Sequence, residues 1–270
     1  MNLRLEDDDD TTPTENSAVI ADLTATLVAS PLTVLDWGSA SSAGVRRRVN
    51  EDAWGQRANT FAVADGMGGR GGGALAARTA IDRFLTRLEA AGDHPDWRRI
   101  VESVNVDVMR AGRERGVERL GTTLLVAIVG GPLITLVHLG DSRAYRLADL
   151  DEGQRLDLLT HDHNVRAELL AAGLDIGEYR ERGVALHGLT SFIGLEHEAL
   201  RVDVVAVPVR AGDRLLLCTD GVHRQVGDDQ IRVTLSLPSC RQAAERLVEQ
   251  ADQVGGRDNA TAVVLRLGVR

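Results

Sequence analysis

The chain has 270 residues, 43% of them hydrophobic, enough to bury one sizeable core, and its 40 acidic against 31 basic residues leave a formal charge of −9. No Lys/Arg cluster interleaves with aromatic residues, which argues against nucleic acid and anionic membrane as main partners, while an acidic surplus suits a protein that holds cations. The two cysteines, Cys218 and Cys240, lack CxxC spacing and read as reduced packing residues of a cytoplasmic protein.

Residues 1–30 include the acidic run Glu6 to Asp10 and have no basic-then-apolar pattern, so they read as a disordered acidic tail and not as a secretory leader. Residues 31–270 follow as one domain. Thr33 to Ala40 and Thr60 to Ala64 read as strands, the second ending at Asp65 before the glycine-rich segment Gly66 to Gly73. Leu75, Ala76, Thr79, Ala80, Phe84, Leu85 and Leu88 then recur at helical spacing, and a second helical pattern runs from about Trp97 to Gly112. Strand signals return at Thr122 to Val129, Leu133 to His138 and Arg143 to Leu147. The uncharged stretch Gly121 to Gly140 is broken by Gly130, Gly131 and Pro132, which makes it two strands and a turn instead of a spanning helix. Thr160 to Glu198 is glycine-rich and irregular apart from a short helix at Val165 to Ala172, and reads as a flap over about residues 161–198. Strands at Arg201 to Pro208 and Arg214 to Cys218, a helix near Arg241 to Val254 and a last strand at Thr261 to Leu267 complete a pattern of antiparallel sheets with helices outside.

The chemistry concentrates where strands stop. Asp65 meets a backbone stripped of side chains, which something must approach closely. Gly66, Gly68 and Gly71 satisfy G-x-G-x-x-G, yet a second helix follows the first, so the second strand of a dinucleotide-binding unit and its acidic residue are missing. A hard cation fits better: Mg²⁺ or Mn²⁺ takes oxygen ligands, and an Asp carboxylate beside a bare Gly66 carbonyl offers both kinds. Asp141, Asp220 and Asp258 also stand at strand ends, and Glu51 and Asp52 form a pair nearer the start. Each alone is an ordinary turn residue; five such segments in one chain form a pattern.

Arg47-Arg-Val-Asn-Glu51-Asp52, Asp65-Gly-Met-Gly-Gly69, Gly121-Thr-Thr123, Gly140-Asp-Ser-Arg143, Cys218-Thr-Asp-Gly221 and Gly256-Arg-Asp-Asn259 resemble, in order, the motifs of the metal-dependent PP2C (PPM) protein serine/threonine phosphatases in their bacterial form. The resemblance covers about residues 33 to 267. It implies an α+β fold, a four-layer α-β-β-α sandwich of two antiparallel sheets flanked by antiparallel helices. It also implies two Mn²⁺ or Mg²⁺ ions and a weaker third. Carried over by motif, Asp65 bridges the pair, the Gly66 carbonyl binds one ion, and Asp220 and Asp258 bind the other. Glu51 and Asp52 hold metal-bound waters, Asp141 serves the third ion and Arg47 binds the substrate phosphate. The implied reaction is hydrolysis of phosphoserine and phosphothreonine in proteins by a water activated between two cations, counteracting a Ser/Thr kinase. The alternative, a non-catalytic domain using the same cleft to recognise a partner, has no chemical need for Asp65, Asp220 and Asp258 together.

Several positions depart from the family pattern. Arg70 stands where His is common and Ala74 where Glu is common, the flap reads Gly188-Leu-Thr-Ser-Phe-Ile-Gly194, and Met67 stands where animal members carry a proposed general-acid histidine. His161 and His163, flanking Asp162, read as surface or structural residues and not as that acid.

Overall fold

A computed structural model describes residues 32–269 except 70, 93–94, 118, 151–152 and 196–199. The acidic tail and Arg70 therefore lie outside the described residues. Strands β1 (Thr33–Ser42), β2 (Asp52–Arg57) and β3 (Thr60–Gly68) lead into helices α1 (Gly72–Ala91) and α2 (Trp97–Glu114). The sequence continues through β4 (Leu120–Thr122), β5 (Leu124–Gly130), β6 (Leu133–Leu139), β7 (Arg143–Leu150) and β8 (Gly153–Leu158). Short helices α3 (Val165–Ala171) and α4 (Ile176–Glu181) precede β9 (Asp203–Pro208) and β10 (Arg214–Cys218). Helices α5 (Asp220–His223), α6 (Asp228–Leu235) and α7 (Cys240–Gln253) precede the last strand, β11 (Ala260–Gly268). No described helix is long and apolar enough to cross a membrane.

One sheet has the order β1-β11-β10-β7-β8; the other runs β2-β3-β5-β6-β9, with β4 paired to β3. All these pairings are antiparallel. Alternation along the central strands explains the four layers. In β3, Phe61 and Val63 pack between the sheets with Leu125, Leu136, Leu217 and Val263. Their neighbours Ala62 and Ala64 turn outward to Phe84 of α1 and Val104 of α2. In β10, Leu215 and Leu217 face inward, whereas Leu216 and Cys218 face Leu247 and Ala251 of α7. Strands buried on both faces read as continuous apolar runs, and that is how these segments appear in the sequence.

Three sequence expectations differ from the structure. β3 does not stop at Asp65 but continues to Gly68, because Gly66, Met67 and Gly68 pair with Thr122, Gly121 and Leu120 of β4. The strand expected over Thr122 to Val129 is broken at Thr123, whose amide leaves the ladder to bond the Asp65 carbonyl at 2.9 Å. In the segment Thr160 to Glu198 the short helix expected at Val165 to Ala172 is present as α3, capped at Asn164 by a bond from the Ala167 amide, but the part after it, expected to be irregular, contains α4 and bridges the body at Thr122–Ile193. Ile193 is fully buried there.

The topology brings several ends together at one edge of the sandwich. Asp52 pairs with Asp65 across β2 and β3, Cys218 pairs with Arg143 and with Ala262, and Leu124 pairs with Leu139. The start of β2, the end of β3, the β6–β7 turn, the end of β10 and the approach to β11 therefore converge.

Candidate metal centre

A cleft of about 270 Å³ opens at that edge, lined by Arg47, Glu51, Asp65, Gly66, Asp141, Asp220 and Asp258. Of the residues expected from the sequence, only Asp52 stays out of this lining; it lies buried behind, beside Asp65 in the register.

Asp65 is held by its backbone. Its amide donates to Thr123 Oγ1 at 2.8 Å, and its carbonyl accepts from the Thr123 amide and from Thr122 Oγ1 at 3.0 Å. Thr123 Oγ1 also bonds Ser142 Oγ at 2.8 Å, so one hydroxyl ties Asp65 to the turn that carries Asp141. The glycine at 66 is demanded by close approach: a Cβ there would sit 2.1 Å from the Gly73 carbonyl oxygen and 2.5 Å from that of Glu51. Gly221 is similarly constrained, since its Cβ would lie 1.9 Å from the Asn259 carbonyl oxygen. That contact seats the start of α5, with Asp220, against the segment carrying Asp258.

Asp52 Oδ2 accepts from Thr261 Oγ1 at 2.7 Å and Thr219 Oγ1 at 2.8 Å. Asp258 Oδ2 accepts from Arg47 at 3.0 Å, and Asp258 Oδ1 from the Asn259 amide at 3.0 Å. Asn259 braces the arginine-bearing loop: its Oδ1 accepts the Glu51 amide, and its Nδ2 donates to the Ala43 and Val49 carbonyls. The sequence reading quoted Asn259 in a motif but gave it no task; an Asn next to a strand-end Asp was the available signal.

Sequence reasoning missed Arg224 and His223 altogether. Arg224 Nη1 lies 2.7 Å from Asp220 Oδ2 and its Nη2 lies 2.5 Å from Asp141 Oδ2. His223 Nε2 bonds the Asp141 carbonyl at 2.9 Å; burial lowers this imidazole's pKa to about 4, so the neutral ring donates. The signal was helical spacing from Asp220, legible only once a helix is known to start there.

The carboxylates crowd one another out of water. Burial, then the charges of Asp52, Asp220, Asp141 and Asp258, push the Asp65 carboxyl well above the usual range. Burial raises Asp52 to about 7 against the opposing Thr261 and Thr219 hydroxyls. Burial and then Asp220 raise Asp141 to about 6 despite Arg224. Burial also raises Asp220, with Arg224 opposing. Two oxygens, Asp52 Oδ1 and Asp220 Oδ1, are buried with no hydrogen-bond partner among the described residues. Orphaned carboxylate oxygens in an all-oxygen donor set fit hard divalent cations.

His138, His163 and Asp203 also place ligand-type atoms within 4.8 Å of one another. There, however, His163 Nδ1 accepts the Gly140 amide at 3.3 Å, so Nε2 carries the proton and donates to Asp203 Oδ2 at 3.0 Å. With the buried His138 ring tilted by 42° against His163 at 4.9 Å, the trio is a brace beneath the Asp141 turn. Arg143 holds the neighbouring Asp162 with two bonds of 2.8 Å. The structural reading of His163 agrees with this placement.

Residues 41–261 match the family model described as protein phosphatase 2C. The chain is 33% identical over 246 residues to the serine/threonine protein phosphatase PstP of Mycobacterium tuberculosis, covering 86% of this chain and 45% of PstP. It thus spans less than half the length of that relative. It is 32% identical over 217 residues to the serine/threonine phosphatase stp of Listeria monocytogenes, covering 75% of this chain and 82% of that protein. The fold matches the crystal structure of the PstP catalytic domain in complex with two manganese ions, with a TM-score of 0.73 at 31% identity over 88% of this chain and 99% of that one. It matches the PPM Ser-Thr phosphatase MsPP from Mycobacterium smegmatis in complex with cacodylate with a TM-score of 0.75 at 32% identity, over 87% and 100% of the two chains. A family match that runs from the end of β1 to the start of β11, on a fold shared with these enzymes, means that the chain belongs to the protein phosphatase 2C family.

Proposed function

We propose that this chain hydrolyses phosphoserine and phosphothreonine in proteins, using a pair of divalent cations, Mn²⁺ or Mg²⁺, held at the strand-end carboxylates. The observation that carries this reading is the convergence of Asp65, Asp141, Asp220 and Asp258 on one cleft that also receives Arg47. In this reading Asp65 and the Gly66 carbonyl, with Asp220 and Asp258, are the ligands, and Glu51 and Asp52 act through water. When bound, such a pair supplies an ionised water near neutral pH and compensates charge on the phosphoryl oxygens.

The chain's own residues do the rest. Thr123 fixes the Asp65 backbone and Thr219 and Thr261 fix Asp52, so the donor set is assembled before substrate arrives. Arg47, half exposed on the loop braced by Asn259, presents a planar fork suited to two phosphoryl oxygens. His187 and Leu189 bring the 160–195 segment to the cleft wall, where residues flanking a phosphate would be read. The phosphorylated substrates would be a Ser/Thr kinase or its targets in a signalling role. The buried, unpaired thiols of Cys218 and Cys240 support a cytoplasmic setting.

The test is hydrolysis of a phosphothreonine peptide by the full chain with Mn²⁺, with Mg²⁺ and with chelator. Metal-dependent release of phosphate that Asp65→Asn abolishes is expected. Stoichiometric peptide binding without turnover would instead establish the binding-domain alternative.

A further inference from the structure

Among the described residues that line the cleft, Arg224 is held differently from the other cation, Arg47. It follows α5 directly, and its amide bonds the Asp220 carbonyl at 3.0 Å, so its side chain rises one helical turn above Asp220 on the same face. The guanidinium then spans two carboxylates from different strand ends, one nitrogen on Asp220 Oδ2 at 2.7 Å and another on Asp141 Oδ2 at 2.5 Å. Arg47, by contrast, sits on a loop, is half exposed and holds Asp258 alone.

Asp141 needs such a partner. Its side chain is 4% exposed, and the charges nearest to it include Asp220 and Asp162, both acidic. Its backbone is pinned by His223, the residue before Arg224, so the carboxylate and the guanidinium are presented to each other by one short stretch of chain. A metal ion recruited to Asp141 would meet the guanidinium already on Oδ2, whereas Asp220, though it also holds Arg224 through Oδ2, keeps a buried Oδ1 with no partner among the described residues for an ion to take. An ion at Asp141 would also meet a fixed positive charge that, unlike a lysine, does not shed its proton.

We propose that Arg224 is a built-in cation of the centre, occupying the place beside Asp141 that a further divalent ion would take, so that the cleft binds two ions and not three. This rests on the reading of Asp65, Asp220 and Asp258 as cation ligands, and it adds which ions the site refuses. Arg224 acts here as a positioning residue: it holds Asp141 and Asp220 and leaves the reacting atoms to others.

The experiment counts Mn²⁺ bound to the full chain by the electron paramagnetic resonance signal of free Mn²⁺, with no substrate present. The native chain is expected to bind two ions. Arg224→Gln is expected to bind a third, at least ten-fold more weakly than the pair, and Arg224→Gln combined with Asp141→Asn is expected to return to two. Arg224→Lys, which keeps a charge at the same reach, guards against a folding defect and is expected to stay at two. Three ions on the native chain, with one lost in Asp141→Asn, would overturn the proposal, as would an Arg224→Gln chain that still binds two. A native chain that binds no Mn²⁺ would overturn the metal-centre reading itself, and with it this inference, which distinguishes the two failures.

Discussion

Removing the metal should destabilise the fold, and by an amount that grows with pH. Asp52, raised to about 7, and Asp141, raised to about 6, hold protons more tightly folded than unfolded. An acid of that kind costs the metal-free fold stability as pH climbs from the unfolded value through the folded one, here from about 4 to about 7. For these two groups the loss is complete by about pH 8. Cations reverse it. At 100 times the dissociation constant each ion adds about 2.7 kcal/mol, so two add about 5 kcal/mol. For a domain of this size each kcal/mol moves the midpoint by about 2–4 °C, which gives a rise of roughly 10–20 °C. Thermal melting followed by circular dichroism, with excess Mn²⁺ and with chelator, checks this at pH 6 and pH 8. The rise should be larger at pH 8, where protons compete least for the carboxylates. Equal midpoints with and without Mn²⁺ at pH 8, or a larger rise at pH 6, would refute the reasoning.

Arg47→Ala should lower kcat/KM on a phosphopeptide about 100-fold while changing the urea midpoint little, because its pair with Asp258 is exposed on both sides; a large stability loss with normal kinetics would point to a structural arginine. Gly221→Ala should cost about 1–3 kcal/mol and most of the Mn²⁺ affinity, since its Cβ meets the Asn259 carbonyl at 1.9 Å; denaturant melts and metal titration read both. Leu216→Ala and Leu217→Ala should each cost about 2–5 kcal/mol, because these neighbours fill different layers. A fold with one solvated sheet face would spare one of the two.

The parts legible in the sequence are those in which one physical demand acts alone. β3, β10 and β11 are buried on both faces, so their apolar runs declare them, and the carboxylates stand out where the runs stop. β2 and β8 were not foreseen: β2 alternates half-buried and exposed positions through Gly55, and β8 is an edge strand with few buried side chains. The break at Thr123 was hidden because the apolar pattern continues through it; only the demand of Asp65 for two backbone partners explains it. Arg224 carries no signal in the sequence until the one-turn helix α5 aims it back at Asp220. Asp52 was grouped with Glu51 by adjacency, yet alternation along β2 sends it behind the cleft while Glu51 borders it.

The edge at which the carboxylates meet is shared: Asp65 arrives on one sheet, Asp220 on the other, and Asp141 on the turn that crosses between them. Neither sheet alone carries the donor set. Under the proposed function, a chain in which only one sheet has formed would lack part of the ion-binding set whatever local structure it has reached.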